Sequence, residues 1–178
     1  MGKKINLANI CVVLIDMQKD FLFKKPNKLK LIPPQVSVLK FCMSNSVPIV
    51  IFEYIGYGNT APKIQEAVKG NPEASVYCLN KKYDDAFYKT ELNKILVAHK
   101  TKNILIMGVN AGFCVYETAK SAIENGYQVV TSRDLIAGYR TKWEKSPCPG
   151  VSWYQENTLF FDDHKRILKK IKNKSPSD

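Results

Sequence analysis

The chain has 178 residues, 45% of them hydrophobic and 24% charged, which suits one domain with a full core and excludes intrinsic disorder. Lys and Arg number 27 against 16 Asp and Glu, and the formal net charge of +11 raises nucleic-acid or membrane-surface binding as readings. Only Arg133, Arg140 and Arg166 are arginines, so the surplus is lysine, lacks the guanidinium fork that grips phosphates and bases, and reads as solvated surface.

No apolar run reaches the roughly 20 residues of a bilayer span. The opening MGKKINLANI has no long apolar stretch before a small-residue cleavage site, so no signal peptide is expected. The cysteines, Cys11, Cys42, Cys78, Cys114 and Cys148, are odd in number and form no CxxC pair, as expected of free thiols in a cytoplasmic protein.

In chain order, residues 10–16 (ICVVLID) are an apolar, β-branched run that predicts a buried strand. Residues 34–45 repeat Val36, Leu39 and Met43 at helical spacing, and 48–54 (PIVIFEY) form the second strand. Residues 75–79 are a weaker strand, and 90–99 a helix with Thr90 as its N-cap. Residues 103–109 (NILIMGV) form a strand, 113–125 a helix stopped by Gly126, and 127–132 another strand. Residues 139–152, with Pro147, Pro149 and Gly150, read as a loop. The alternation predicts an α/β fold: a three-layer, doubly wound, mainly parallel sheet with helices on both faces. It would occupy residues 1–163, followed by a basic helix and frayed tail at 164–178.

In an open α/β sheet, ligands bind beyond the carboxyl ends of the strands. That rule selects Asp16, Glu53 and Tyr54, the stretch from Asn110 to Cys114, and Arg133 with Asp134. Cys114 opens a helix whose partial positive charge would lower its thiol pKa and whose N–H groups could hold an oxyanion, although a small buried helix residue is an equal reading. Asp16, at the end of an apolar strand, is either a general base or a turn cap. Lys81 and Lys82 follow the third strand and are either site cations or two more surface lysines.

Three segments together resolve these alternatives. VVLIDMQKDFL, KKYDDAFYKTEL and GVNAGFCVYETAKSAIENGYQVVTSRD occur in an order and spacing that resembles the isochorismatase-like cysteine hydrolases, relatives of nicotinamidase and N-carbamoylsarcosine amidohydrolase. The resemblance implies a catalytic triad of Asp16, Lys81 and Cys114, with Lys82 as the alternative lysine. It implies a cis peptide at Val109–Asn110, with the backbone N–H groups of Asn110 and Cys114 as the oxyanion hole. It also implies Gln18 beside the aspartate, and hydrolysis of a small amide, ureido or carbamoyl C–N bond through a thioester. Gln18, Glu53, Tyr54, Phe87 and Phe113 are the candidate substrate-binding residues, with Tyr57 and Tyr83 as further pocket walls.

Departures from the family pattern narrow the expectation. FEYIGYGNTAP lacks the histidines of the nicotinamidase D-x-H-x-x-H site, so no metal and no cofactor are expected. Ala111 and Gly112 stand where Thr-Asp is common, which removes side-chain hydrogen bonds beside the nucleophile and keeps a binding or scaffold protein of low activity as the alternative. The resemblance implies a homo-oligomer, dimer or larger, acting on a small molecule without nucleic-acid or membrane partners. The tail alone argues otherwise: Lys165, Arg166, Lys169, Lys170, Lys172 and Lys174, with Ile167, Leu168 and Ile171 interspersed, make a basic amphipathic helix.

Overall fold

In a computed structural model that describes residues 9–23, 25–71, 75–138 and 150–172, the chain winds around one seven-stranded sheet. The strands are β1 (Ile10–Ile15), β2 (Ile49–Tyr54), β3 (Val76–Lys81), β4 (Asn103–Val109), β5 (Gln128–Ser132), β6 (Ile136–Ala137) and β7 (Leu159–Phe161). Their order is β3-β2-β1-β4-β5-β7, with β6 on the end of β4, and every strand pair is parallel. The helices are α1 (Lys19–Leu22), α2 (Pro26–Leu29), α3 (Ile32–Ser44), α4 (Pro62–Ala67), α5 (Leu92–Ala98), α6 (Cys114–Glu124), α7 (Val151–Asn157) and α8 (His164–Lys172).

Side-chain alternation along β1 sorts these helices into two layers. Val12 and Leu14 pack with residues of α3, α4 and α8, while Val13 and Ile15 pack with α5, α6 and α7. A parallel sheet covered on both faces needs apolar residues at every position of its central strands, which is the pattern that β1 and β4 carry. This is the three-layer α/β fold that the sequence predicts.

The chain builds outward from β1 to β3, then returns to lay β4 on the other side of β1. The carboxyl ends of β1 and β4 therefore flank the point where the winding direction reverses, the crevice in which such sheets bind ligands. At that point β1 and β4 approach closely, Ile15 opposite Gly108. Gly108 has φ +129°, and a Cβ placed there would collide with the Ile15 backbone, its carbonyl oxygen first and its C and N atoms at 2.8 Å.

Several elements differ from expectation. β3 runs two residues farther than 75–79 and so ends on Lys81. The α5 N-cap is Glu91, not Thr90, although the Thr90 hydroxyl still accepts the Leu92 N–H at 3.2 Å. Gly126 follows the α6 C-cap Asn125 with φ +84°, the stop that was expected. Of the predicted loop at 139–152, residues 139–149, including Arg140, Pro147, Cys148 and Pro149, lie outside the described residues, whereas Gly150 caps α7 and 151–152 begin it.

The basic helix is α8, and it spends its apolar stripe on the molecule's own core: Ile167 is buried, with Leu168 and Ile171 packed beside it. That removes the face a membrane-surface helix would insert. Lys174 lies outside the described residues, and among those residues no helix is long and apolar enough to cross a membrane.

Gly108→Ala is expected to cost on the order of 3 kcal/mol, because both the conformation and the contact with Ile15 forbid a side chain. Urea denaturation reads this directly, and a midpoint equal to that of the parent chain would contradict the close approach.

Candidate active site

Asp16 is the first residue past β1. It takes the left-handed conformation, φ +52°, which Asp tolerates better than most residues, while its N–H still donates to the Phe52 carbonyl at 3.1 Å. The sharp turn lets an apolar strand end in an acid without burying that acid among the strand's hydrophobic neighbours. Lys81 ends β3, in register with Tyr54 of β2. Its side chain reaches back over the Tyr54 ring, Nζ 4.4 Å from the centroid, and Nζ meets Asp16 Oδ2 at 2.9 Å. Nζ also donates to the Tyr83 carbonyl at 3.1 Å. Both charged side chains are almost completely buried, whereas Lys82 is exposed. Of the two adjacent lysines, Lys81 and not Lys82 pairs with the acid.

Cys114 is the first residue of α6, buried, and close enough to Asp16 for the two groups to perturb each other. The peptide before Asn110 is cis, at the position expected. In the turn between, Phe113 and Val115 donate to the Asn110 carbonyl, at 2.9 and 3.2 Å. The N–H groups of Asn110 and Cys114 donate to no acceptor among the described residues, which leaves two backbone donors in the nucleophile turn. Ala111 loses nothing in anchorage from its plain side chain: its N–H bonds the Ala137 carbonyl at 2.9 Å, and its own carbonyl accepts the buried Tyr154 hydroxyl at 2.7 Å.

The electrostatics correct one expectation. Burial pushes the Cys114 thiol well above its ordinary value, and the Asp16 and Asp84 carboxylates push it further; Lys81 opposes them. A helix N-terminus is worth about 0.3–1 kcal/mol, up to about 2 in favourable partly buried geometry. Desolvation can move a buried group by about 3–5 pKa units, at about 1.4 kcal/mol each, so burial wins over the helix dipole. These contributions favour the thiol over the thiolate, so the sulfur calls for a base. Burial also raises the Asp16 carboxyl above the usual carboxylate range, with Lys81 pulling it back, which moves this base toward neutrality. Asp16 is buried against both Lys81 and the Cys114 thiol, each of which bears on its carboxyl.

The other candidates divide. Tyr54 belongs to the site: its ring lies under Lys81 and its hydroxyl donates to the Lys82 carbonyl at 2.7 Å. Gln18 is almost completely buried, and both ends of its amide are taken by backbone. Nε2 donates to the Tyr54 and Gly58 carbonyls at 2.9 and 2.5 Å, and Oε1 accepts the Tyr54 N–H at 2.6 Å. It clips the end of β2 to the following loop. Glu53 points to the opposite sheet face from Tyr54, where Oε1 accepts the Thr60 N–H at 2.6 Å and its hydroxyl at 2.7 Å. Phe87 stacks on Tyr127, centroids 6.1 Å apart. Phe113 is 54% exposed beside Cys114, and Tyr57 and Tyr83 are also exposed. Asp134, past β5, holds His164 and Ser132 instead of facing the thiol.

Two neighbours of the thiol escaped the sequence reading. Asp84 Oδ1 accepts the Cys114 thiol hydrogen bond at 3.2 Å. Its only mark in the sequence is the acid pair Asp84-Asp85 just past Lys81. Lys28 is buried, with Nζ 5.8 Å from the Phe21 ring. Burial lowers it to about 8, helped by Lys25 and partly offset by Cys114. Within KKPNKLK nothing marks it off from solvated lysines. Among the described residues, no group of three or more His, Cys, Asp or Glu side chains is arranged to hold a metal ion.

Comparison with known proteins gives the family and the fold. Residues 10–146 match the isochorismatase domain family. The uncharacterized isochorismatase family protein YaaI of Bacillus subtilis is 27% identical over 147 residues, covering 73% of this chain and 81% of that protein. An isochorismatase-like hydrolase structure from Alkaliphilus metalliredigens superposes with TM-score 0.78 at 20% identity, covering 91% and 98% of the two chains. N-carbamoylsarcosine amidase from Thermoplasma acidophilum superposes with TM-score 0.68 at 21% identity, covering 82% and 90%.

Breaking the Asp16–Lys81 pair from one side should be costly, because it strands a buried charge. Lys81→Met is expected to lose about 3–5 kcal/mol of stability, and Lys82→Met to stay within about 0.5 kcal/mol of the parent. Urea titrations of the two variants check this, and equal midpoints would contradict the assignment.

Proposed function

The chain belongs to the isochorismatase family, and on that footing we propose that it is a cysteine hydrolase of a small-molecule C–N bond, acting on an amide, ureido or carbamoyl substrate through a thioester on Cys114. The observation that carries the reading is the buried Asp16–Lys81 ion pair, 2.9 Å long, set against a buried thiol at the start of α6. A structural role alone gives such a group of charges no advantage over apolar residues of the same volume. The family's amidases, N-carbamoylsarcosine amidase among them, act on bonds of this class.

In this mechanism the substrate carbonyl settles against the free N–H groups of Asn110 and Cys114. Cys114 Sγ attacks the carbonyl carbon as its proton passes to Asp16 Oδ1. The tetrahedral oxyanion is held by the two N–H groups. Collapse breaks the C–N bond, Asp16 returns the proton to the leaving nitrogen, and the amine or ammonia departs from a thioester. Water then gives a proton to Asp16, attacks the thioester carbonyl, and releases the acid product with Cys114 restored as a thiol. Lys81 keeps Asp16 ionised between steps and offsets the negative charge that moves between carboxylate and sulfur. Gln18 acts one step removed, by fixing the Tyr54 backbone beneath the Lys81 chain. Phe113, exposed and next to Cys114 in the chain, is an aromatic wall for the substrate.

Ammonia release from a panel of short aliphatic and aromatic primary amides, ureides and N-carbamoyl amines tests the reading. Turnover of at least one class is expected, falling by at least about a thousandfold in Cys114→Ala, as for loss of a covalent nucleophile. Turnover that survives in Cys114→Ala, or none on any class, would overturn it in favour of a binding protein.

The pH profile adds an independent check. Asp16 works as a base only when ionised, and its carboxyl is raised, so kcat/KM should fall as pH drops through a midpoint above the ordinary carboxylate value of about 4. An acid limb at or below that value would contradict the role given to Asp16.

A further inference from the structure

Asp84 lies outside the Asp16–Lys81–Cys114 group, yet its carboxylate also accepts a hydrogen bond from the nucleophile's thiol, Sγ to Oδ1 at 3.2 Å. This is no chance surface rotamer. The segment after β3 is fastened to α6 along a single helical face, at positions 114, 118 and 121. Ala86 donates its N–H to the Thr118 hydroxyl at 3.0 Å, and that hydroxyl lies 3.4 Å from the Asp84 carbonyl as a donor. The Ser121 hydroxyl donates to Asp85 Oδ2 at 2.8 Å, and Asp85 Oδ1 accepts the Phe87 N–H at 2.8 Å. Asp85 is spent on the fastening, and Asp84 is the acid left aimed at the sulfur. Meanwhile Asp16, the carboxylate that should receive the thiol proton, bears on the same sulfur.

Resting on the reading of Cys114 as nucleophile, we propose that Asp84 is a latch on it: its carboxylate competes with Asp16 for the thiol hydrogen bond at rest, and an arriving substrate must displace the Asp84 contact so that the proton goes to Asp16. The charged and titratable groups that bear on Cys114 are Asp16 at the end of β1, Lys81 at the end of β3, Asp84 itself and Lys28 of α2, with Tyr54 of β2 coupled to the same cluster. Of these, Asp84 alone is exposed. The latch keeps the sulfur protonated, so activation of the nucleophile is tied to occupancy.

Removing the Asp84 charge takes away an anion that disfavours the thiolate, so the latch makes a prediction with a definite sign. The probe is iodoacetamide, with modification of the Cys114 peptide followed by mass spectrometry from pH 6 to pH 10, which needs no substrate. Asp84→Asn and Asp84→Ser are expected to alkylate about three- to tenfold faster near pH 7.5, a displacement of the thiol curve by about half to one unit toward lower pH. Asp84→Glu should stay within about twofold of the parent. Far-UV circular dichroism confirms that each variant folds, and the two neutral variants cover for each other if one does not. An unchanged rate in Asp84→Asn would make Asp84 a bystander, and a slower one would make it the activating base; either result overturns the latch. Because the readout is alkylation, a failed latch leaves Cys114-dependent turnover untouched, and a failed hydrolase reading leaves the alkylation result standing.

Discussion

One buried ion pair organises this molecule's chemistry. Asp16 and Lys81 come from strands two places apart in the sheet, and they meet across the end of β2 because Lys81 is long enough to span it. Each charge alone would be prohibitive at that depth; together they are tolerable, and Tyr54 beneath the ammonium and the Tyr83 carbonyl complete the lysine's surroundings. Much of the nearby structure serves the pair. Gln18 locks the Tyr54 backbone, Glu53 ties the next loop to Thr60, and Gly108 lets β4 close on β1 just where Asp16 leaves the strand.

Under the proposed mechanism the pair lets a deeply buried cysteine act as a nucleophile without being a thiolate. A free thiolate needs an exposed or electropositive setting. Cys114 has burial and two carboxylates acting against ionisation, and one lysine acting for it. The chemistry that fits is proton transfer in step with attack, to a carboxylate whose own proton affinity burial has raised. Placing the base and the backbone donors on rigid strand ends and a helix start keeps their spacing independent of loop motion.

The architecture was legible because parallel strands write themselves as continuous apolar runs, and residues 10–16, 48–54 and 103–109 do so. The family was legible in three motifs whose spacing reflects the same strand ends. The misreadings share a physical cause. Gln18 and Glu53 are polar residues at a strand's carboxyl end, where a substrate contact and a backbone clip look identical in sequence, and only the hydrogen bonds to Tyr54, Gly58 and Thr60 separate them. The thiol's pKa depends on burial and on Asp84, neither of which a helix-start position encodes. Lys28 was hidden by composition, one buried lysine in a lysine-rich chain. Short elements such as α4 and β7 carry too few residues for periodicity to declare itself.

The central claim is that Cys114 becomes covalently acylated with Asp16 as its base. Rapid quenching of the protein during turnover of an amide substrate, with mass spectrometry of the Cys114 peptide, measures it most directly. The acyl group of the substrate should appear on Cys114 in the parent chain and fail to accumulate in Asp16→Asn. Steady turnover with the label on another residue, or an undiminished acylation rate in Asp16→Asn, would contradict it.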